Sequence, residues 1–335
     1  MALVPMRLLL DEAAKGNYAV GAYNVNNMEQ IQAIMAAAQE TRSPVIIQAS
    51  RGALKYSNFI YLRHLMLAAV EENPDIPIAM HLDHGNSLET CKKAIELGFT
   101  SVMIDGSLKE DSKTPTTYEE NLDVTLSVIE YARPLGVTVE AELGTLGGIE
   151  DGVGSGKVHL TDPDQAEEFV EETKVDALAV AIGTSHGAYK FKSEPKLALD
   201  LVREIHQRIP YTALVMHGSS SVPQDLVEKV NRYGGKMPNA MGVPMSAIQS
   251  VIPYGVRKVN IDTDGRMAVT AAIRKVFVEN PEKFDPRQYL EPAREALTQL
   301  VAQKMRDLGT AGHAGEIMPK TLDDMIEYYK KYGLL

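Results

Sequence analysis

The sequence predicts an α/β fold, a (β/α)8 TIM barrel with a C-terminal helical extension. Eight short apolar, β-rich runs recur along the chain. The stretches between them place apolar residues three to four positions apart, as amphipathic crossover helices do. Strand–helix alternation of this kind builds a parallel sheet, and eight repeats close one. The eight units run from residue 18 to residue 279, close to the ~250 residues of such barrels.

In chain order the strands are YAVGAYNV (18–25), PVIIQAS (44–50), IPIAMHLDH (76–84), SVMIDGS (101–107), TVEAELG (138–144), ALAVAIGT (177–184), TALVMHGS (212–219) and VRKVNIDTD (256–264). MEQIQAIMAAAQE and LETCKKAIELG typify the crossovers. The chain, 1–335, reads as one barrel domain: a short helix precedes the first strand, and 280–335 form the extension, its entry punctuated by Pro286 and Pro292. Two connections exceed ordinary turns. Residues 145–162 follow the fifth strand and carry five glycines, the composition of a mobile lid. Residues 234–255 precede the eighth strand, which places them at the opposite rim, as a subunit contact.

Composition narrows the function. Lys and Arg total 34 against 45 Asp and Glu, a net charge of −11, which repels nucleic acid and anionic membranes. An anionic substrate must then be met locally, by a metal, an arginine or helix N-termini. Cys91 is the only cysteine, so no intrachain disulfide or cysteine zinc cluster forms, as fits a reducing compartment. The N-terminal stretch lacks a secretory pattern and no segment has ~18 uninterrupted apolar residues. A cytoplasmic protein is expected.

In such barrels chemistry sits at the C-terminal ends of the strands. Every run here ends in a polar group: Asn24, Ser50, Asp83 with His84, Asp105, Glu142, His186 just past the sixth, His217, and Asn260 with Asp262. Three imidazoles with an open fourth position make a catalytic zinc site, so His84, His186 and His217 are the expected ligands. Asp83 is held beside the metal by its neighbour in sequence, and there it either moves a substrate proton or orients a ligand. His81, two residues deeper, reads as packing or support. Asp105 and Glu142 suit a second divalent cation, or an alternative position of the first. HGSSSVPQDL and NIDTDGRMAV run small residues into helices. Backbone N–H groups near Gly218, Ser220, Asp262 and Thr263 then form a phosphate cradle, or the same residues simply cap helices.

Other motifs fail. GVGSGKV (152–158) has one residue too few between its glycines for a nucleotide-binding loop, and NIDTDG (260–265) meets Ala271 where a calcium loop needs glutamate. His64, His159, His206 and His313 read as surface or packing residues. Cys91 has no adjacent base and is no nucleophile.

HLDHG, EAELGTLGGIEDG, GTSHGAYK, HGSSS, KVNIDTD and FDPR, in this order and spacing across essentially all 335 residues, resemble the class II, metal-dependent fructose-bisphosphate aldolases. YGGKMPNAMGVP and VIPYGVRKVNIDTD resemble the longer subtype of glycolytic and carbon-fixing (Calvin-cycle) bacteria. The resemblance implies reversible cleavage of fructose 1,6-bisphosphate to dihydroxyacetone phosphate and glyceraldehyde 3-phosphate, with zinc stabilising an enediolate and no Schiff base. It makes Asp83 the general acid/base, His84, His186 and His217 the zinc ligands, and Asp105 and Glu142 a second metal position. It places Gly187, Gly218, Ser219, Ser220, Asn260, Ile261, Asp262 and Thr263 in the segments that bind dihydroxyacetone phosphate, Ser50 at the aldehyde half and Asn24 in the site wall. Glu150 becomes the acid/base on the glycine-rich loop, and Arg287 reaches the distal phosphate from a neighbouring subunit of a homodimer or homotetramer. Ile149 departs from relatives with a second acidic residue there. A monovalent cation is compatible with this pattern. The alternatives are a tagatose-bisphosphate aldolase of the same superfamily and a non-catalytic metal-binding barrel.

Overall fold

The structure is a computed structural model that describes residues 2–148, 153, 158–188 and 197–335. Eight parallel strands pair in chain order, and β8 returns to β1 to close the barrel. They are β1 (Val20–Asn24), β2 (Val45–Ser50), β3 (Ile78–Gly85), β4 (Ser101–Ile104), β5 (Thr138–Leu143), β6 (Ala177–Val180), β7 (Ala213–Met216) and β8 (Val256–Ile261). Each falls inside its predicted run, or within a residue of it. Three of them, β4, β6 and β7, stop short of their polar residues, so Asp105, His186 and His217 follow the strands on loops at the mouth.

The crossovers are helical. Before the barrel closes come α1 (Met6–Gly16), α2 (Met28–Thr41), α3 (Arg51–Ser57), α4 (Phe59–Glu72), α5 (Leu88–Glu96), α6 (Tyr118–Ala132), α7 (Pro163–Thr173), α8 (Leu199–Arg208), α9 (Gln224–Arg232) and α10 (Met245–Val251). After β8 follow α11 (Thr263–Glu279), α12 (Pro286–Asp307) and α13 (Leu322–Lys331). Polar side chains start most of them at the positions the sequence supplies: Asn27 caps α2, Ser87 caps α5, and Thr117 forms a capping box with Glu120 on α6. No described helix is long and apolar enough to cross a membrane.

Alternation along the strands divides the core in two. Inward residues Val20, Ala22, Ile46, Ala79, Met103, Ala177 and Val215 continue into Met6, Leu9 and Leu10 of α1 and Tyr329 of α13. Helix α1 thereby closes the N-terminal end, and the C-terminal mouth stays polar. Outward residues such as Ile47, Leu82, Val102, Val139, Leu178 and Val259 pack beneath the crossover helices. At ~25 cal/mol per Å² of apolar surface removed from water, these two clusters are the main stabilising term.

Two expectations need correction. Pro292 does not punctuate the extension: α12 begins at Pro286, capped by Asp285, and continues through Pro292. It packs along α2 and α11, and that contact offsets the hydrogen bond the ring removes. Nor does 234–255 stay at the rim opposite the mouth. Met241 N–H donates to Ala188 O at 3.1 Å and Val243 N–H to Ser220 O at 3.2 Å. The chain climbs back to the mouth along the loop after β7, and α10 then leads down to β8.

Candidate active site

Adjacent residues of a strand normally face opposite ways, yet both Asp83 and His84 line the mouth. The cause is local. Pairing between β3 and β4 shifts register between Leu82 and Gly85, and His84 adopts φ +50°. A left-handed non-glycine residue at a bulge is a strained arrangement that a packed site can hold. The next position must be glycine, because a Cβ on Gly85 would lie 2.5 Å from Met103 O. His186 is placed by its own N–H, which donates to Gly147 O at 2.8 Å. The loops after β5 and β6 are thus tied together.

Beneath the mouth runs a buried chain of hydrogen bonds. Gln48 donates to Asn24 Oδ1 at 2.6 Å, so Asn24 Nδ2 donates to Asp83 Oδ2 at 2.8 Å. From the other side, Lys258 Nζ donates to Asn260 Oδ1 at 2.8 Å, which turns Asn260 Nδ2 onto Asp83 Oδ1 at 3.1 Å. Each amide's orientation is fixed by the donor behind it. Lys258 also pairs with Glu140 Oε2 at 3.0 Å, and Glu140 Oε1 meets His217 Nε2 at 2.8 Å. Burial alone would raise the Asp83 carboxyl. His84, His217, Lys258 and the Asn24 bond overcome it and hold Asp83 below the ordinary carboxylate range. Asp83 is therefore a buried, oriented carboxylate with spare lone pairs.

The histidines carry the signature of a metal centre. His84 Nε2 and His217 Nδ1 face one another at 3.0 Å. The remaining ring nitrogen of each is held by a buried carboxylate, His84 Nδ1 by Asp105 Oδ2 at 2.9 Å and His217 Nε2 by Glu140. Such backing fixes the tautomer that leaves the facing nitrogens as electron-pair donors. Two facing lone pairs need a proton or a cation between them. Burial lowers His84, but Asp83 and Asp105 outweigh it and raise it to about 10. Burial and the His84 charge hold His217 well below its ordinary value. The donor set fits a divalent cation. Asp83, His84 and His217 have ligand atoms within 4.8 Å of one another, as do His84, Asp105 and Glu142. Burial and the Asp105 charge push Glu142 well above the usual carboxyl range, and its Oε2 is buried without a hydrogen bond. That oxygen suits a second cation. His186 shares the cavity, its ring 5.2 Å from His84 and 6.4 Å from His217, but stands outside both tight groups.

Gly218, Ser219, Ser220, Asn260 and Asp262 line the same cavity, as do Asn24 and Ser50. A Cβ on Gly218 would lie 2.6 Å from Ser185 O, so only glycine lets these loops approach. Ser220 Oγ accepts from Asp262 N–H at 3.3 Å, which joins the two small-residue loops, and Arg266 pairs with the Asp262 carboxylate at 2.6 Å. Thr263 opens α11 just behind them. Ser50 caps α3 through Ala53 N–H. Gly187, at φ +83°, follows His186 outside the cavity lining. The Ile261 side chain faces the outer core and not the cavity, so only its backbone could serve a ligand.

Arg287 is not brought to the mouth of its own chain. It sits at the start of α12, exposed, with its guanidinium on Asp285 at 2.6 Å. Glu150 and Ile149 lie outside the described residues. Within 145–162, Val153 lines the cavity beside His186, while Thr145 and His159 pair through reciprocal backbone bonds of 3.0 Å at the base. Three groups receive no site role from the sequence, although Glu140 shares the strand face of Glu142 and Lys258 lies early in the eighth strand. Glu140 and Lys258 sat two residues below the rim, and only an inward-facing period-two pattern of charged residues in TVEAELG and VRKVNI signals them. Arg51, the residue after the second strand, lines the cavity and donates to His84 O at 3.0 Å.

Residues 4–313 match the family model described as fructose-bisphosphate aldolase class-II. The chain is 55% identical to a fructose-bisphosphate aldolase of Nostoc commune over 346 aligned positions, covering 99% of this chain and 96% of that one. It is 56% identical to the fructose-bisphosphate aldolase of Giardia intestinalis, covering 98% and 100%. Among solved structures, the YdjI aldolase of Escherichia coli K12 superposes with a TM-score of 0.76 at 30% identity, over 93% of this chain and 99% of that one. With the barrel, the imidazole pair and the ordered motifs in agreement, the chain belongs to the class-II fructose-bisphosphate aldolase family.

Proposed function

We propose that this chain cleaves fructose 1,6-bisphosphate reversibly to dihydroxyacetone phosphate and glyceraldehyde 3-phosphate, by a metal-dependent route without a Schiff base. The observation that carries the reading is Asp83, held charged between Asn24 and Asn260 beside the facing pair His84 and His217. Imidazoles favour zinc among abundant divalent ions, and His84, His186 and His217 would hold it. Bound there, zinc supplies Lewis-acid polarisation of substrate oxygens. Asp105 and Glu142 would take a second cation.

Asp83 takes the C4 hydroxyl proton as the C3–C4 bond breaks. Its two amide donors fix both oxygens yet leave a lone pair on each for the hydroxyl. Gly218, Ser219, Ser220, Asp262 and Thr263 cradle the dihydroxyacetone phosphate group at the N-terminus of α11, helped by backbone of Gly187 and Ile261. Ser50 meets the aldehyde half. Glu150 serves as acid/base at C3. Arg287, exposed and outside the cavity lining of its own chain, grips the distal phosphate of a neighbour in a homodimer or homotetramer, because a guanidinium suits bidentate phosphate contact. Lys258 supports the lysine-free route: it is fully buried and engaged by Glu140 and Asn260.

A coupled assay with fructose and tagatose bisphosphates, with and without chelator, tests this. Cleavage of the fructose substrate that chelation abolishes and borohydride spares is the expected result. Covalent trapping of substrate on a lysine would overturn the mechanism, and preference for the tagatose substrate would overturn the specificity.

A further inference from the structure

At the end of the barrel opposite Asp83 lies a second cavity of about 1230 Å³, walled by α1, α13 and the turns that lead into β7 and β8. Arg257 of β8 forms part of that wall and is only 6% exposed. One guanidinium nitrogen donates to Ile252 O at 2.9 Å, with longer contacts to Tyr18 O and Asn17 Oδ1 at 3.4 Å. No carboxylate among the described residues pairs with it, and burial lowers its pKa from the ordinary value. A buried cation without a counter-charge is costly and calls for an anion.

The rest of the wall repeats the imbalance. Lys320 and Lys331 lie 5.1 and 5.5 Å from the ring centres of Tyr328 and Tyr332, with no described carboxylate in pairing distance. The four acids of the wall are all engaged. Asp11 lies 3.7 Å from Arg7 and Glu12 2.7 Å from Lys15, Asp324 accepts from Thr321 and is lowered in part by the Lys320 charge, and Glu327 pairs with Lys330 at 2.8 Å. Arg257 and Lys331 thus line one cavity with no described carboxylate paired to them, and Lys320 beside them has only the Asp324 charge nearby, in a chain of net charge −11. Tyr211, 94% exposed at its edge, offers an open aromatic face.

We propose that this cavity binds an organic phosphate with a planar ring, the chemistry of a nucleoside phosphate, its phosphates on Arg257, Lys320 and Lys331 and its ring on Tyr211. Phosphate is matched by these three cations of the wall, and a stacked base gives contact area that inorganic phosphate lacks. The site shares no residue with the mouth, so it stands or falls apart from the aldolase reading.

Calorimetric titration of the metal-loaded protein with ADP, pyrophosphate and adenosine tests it. ADP should bind wild type and Ser220→Ala alike, more tightly than pyrophosphate or adenosine. Lys320→Glu with Lys331→Glu should weaken ADP about a hundredfold, since each of the two lost charge-assisted contacts is worth about a factor of ten. Arg257→Gln should weaken it further, and if that variant fails to fold, the surface pair still decides. Three results overturn the proposal: no ADP binding at millimolar concentration, equal binding by the charge-reversed pair, or loss only in Ser220→Ala. A change of sedimentation coefficient in the charge-reversed pair, with no ADP bound by wild type, would assign the cavity to a second copy of the chain instead.

Discussion

Glu140→Gln removes one charge from the middle of the barrel while keeping the side-chain shape. The Glu140 carboxylate accepts from Lys258 at 3.0 Å and meets His217 at 2.8 Å, all three fully or nearly fully buried. The amide leaves Lys258 without its counter-charge, and breaking one side of a buried pair costs about 3–5 kcal/mol. With an unfolding entropy of about 2.1 cal/mol/K per residue over 335 residues, that lowers Tm by about 4–7 °C. Loss of the carboxylate behind a ligating imidazole weakens metal binding about 10–100-fold. Thermal melts and a competitive zinc titration of the same variant read both effects. Adding Lys258→Met removes the orphaned charge, so Tm should recover while metal affinity stays low. A Tm within about 1 °C of wild type and unchanged zinc affinity would refute the reasoning, as would a double variant less stable than the single.

Asp83→Ala should lower kcat about 10²–10⁴-fold with zinc retained, whereas His217→Ala should lose zinc by metal analysis; zinc loss from Asp83→Ala that excess metal rescues would make Asp83 an orienting group. Mixing Asp83→Ala with Arg287→Ala under subunit exchange should restore activity above either parent, and verified hybrids without recovery would exclude an arginine shared across subunits. Cys91 is buried and its thiol pushed up to about 12, so the native protein should not react with a thiol-specific disulfide reagent at pH 8 until denatured. Asp264, paired with Lys304 at 2.9 Å and accepting from Ser221 and Val222, is held below the ordinary carboxylate range despite burial. Its stabilisation is full above the unfolded value near ~3.9 and is lost as pH falls through the folded one. Asp264→Asn should therefore be less stable at neutral pH and show a flatter loss in acid; a parallel pair of stability–pH curves would contradict this.

The eight strands were legible because hydrophobic alternation and strand length are local properties, and a strand end marks the barrel mouth without any tertiary knowledge. That is how Asn24, Asp83, His84, Asp105, Glu142, His186, His217 and Asn260 could be named from the chain, and all of them surround one mouth. Residues 234–255 were placed at the wrong rim for a complementary reason. Their return to Ser220 depends on backbone hydrogen bonds between segments about twenty residues apart, which composition does not encode. Arg51 and Ser50 differ in the same way: the strand end predicts the serine, while the arginine's course to His84 O depends on the shape of the loop it crosses.

By itself the sequence determined the barrel, its polar mouth and the family, since periodicity and ordered motifs are carried by neighbouring residues. Only the tertiary structure decided which nitrogens of His84 and His217 are backed by a carboxylate, and that Lys258 and Glu140 set the orientation of Asn260 and His217. It alone showed that Arg257 is buried with no carboxylate paired to it among the described residues. These are contacts between residues in or just past β3, β4, β5, β7 and β8, or between the two ends of the chain. Hydrogen bonds act over about 3 Å, and only the closed barrel brings those strands that near.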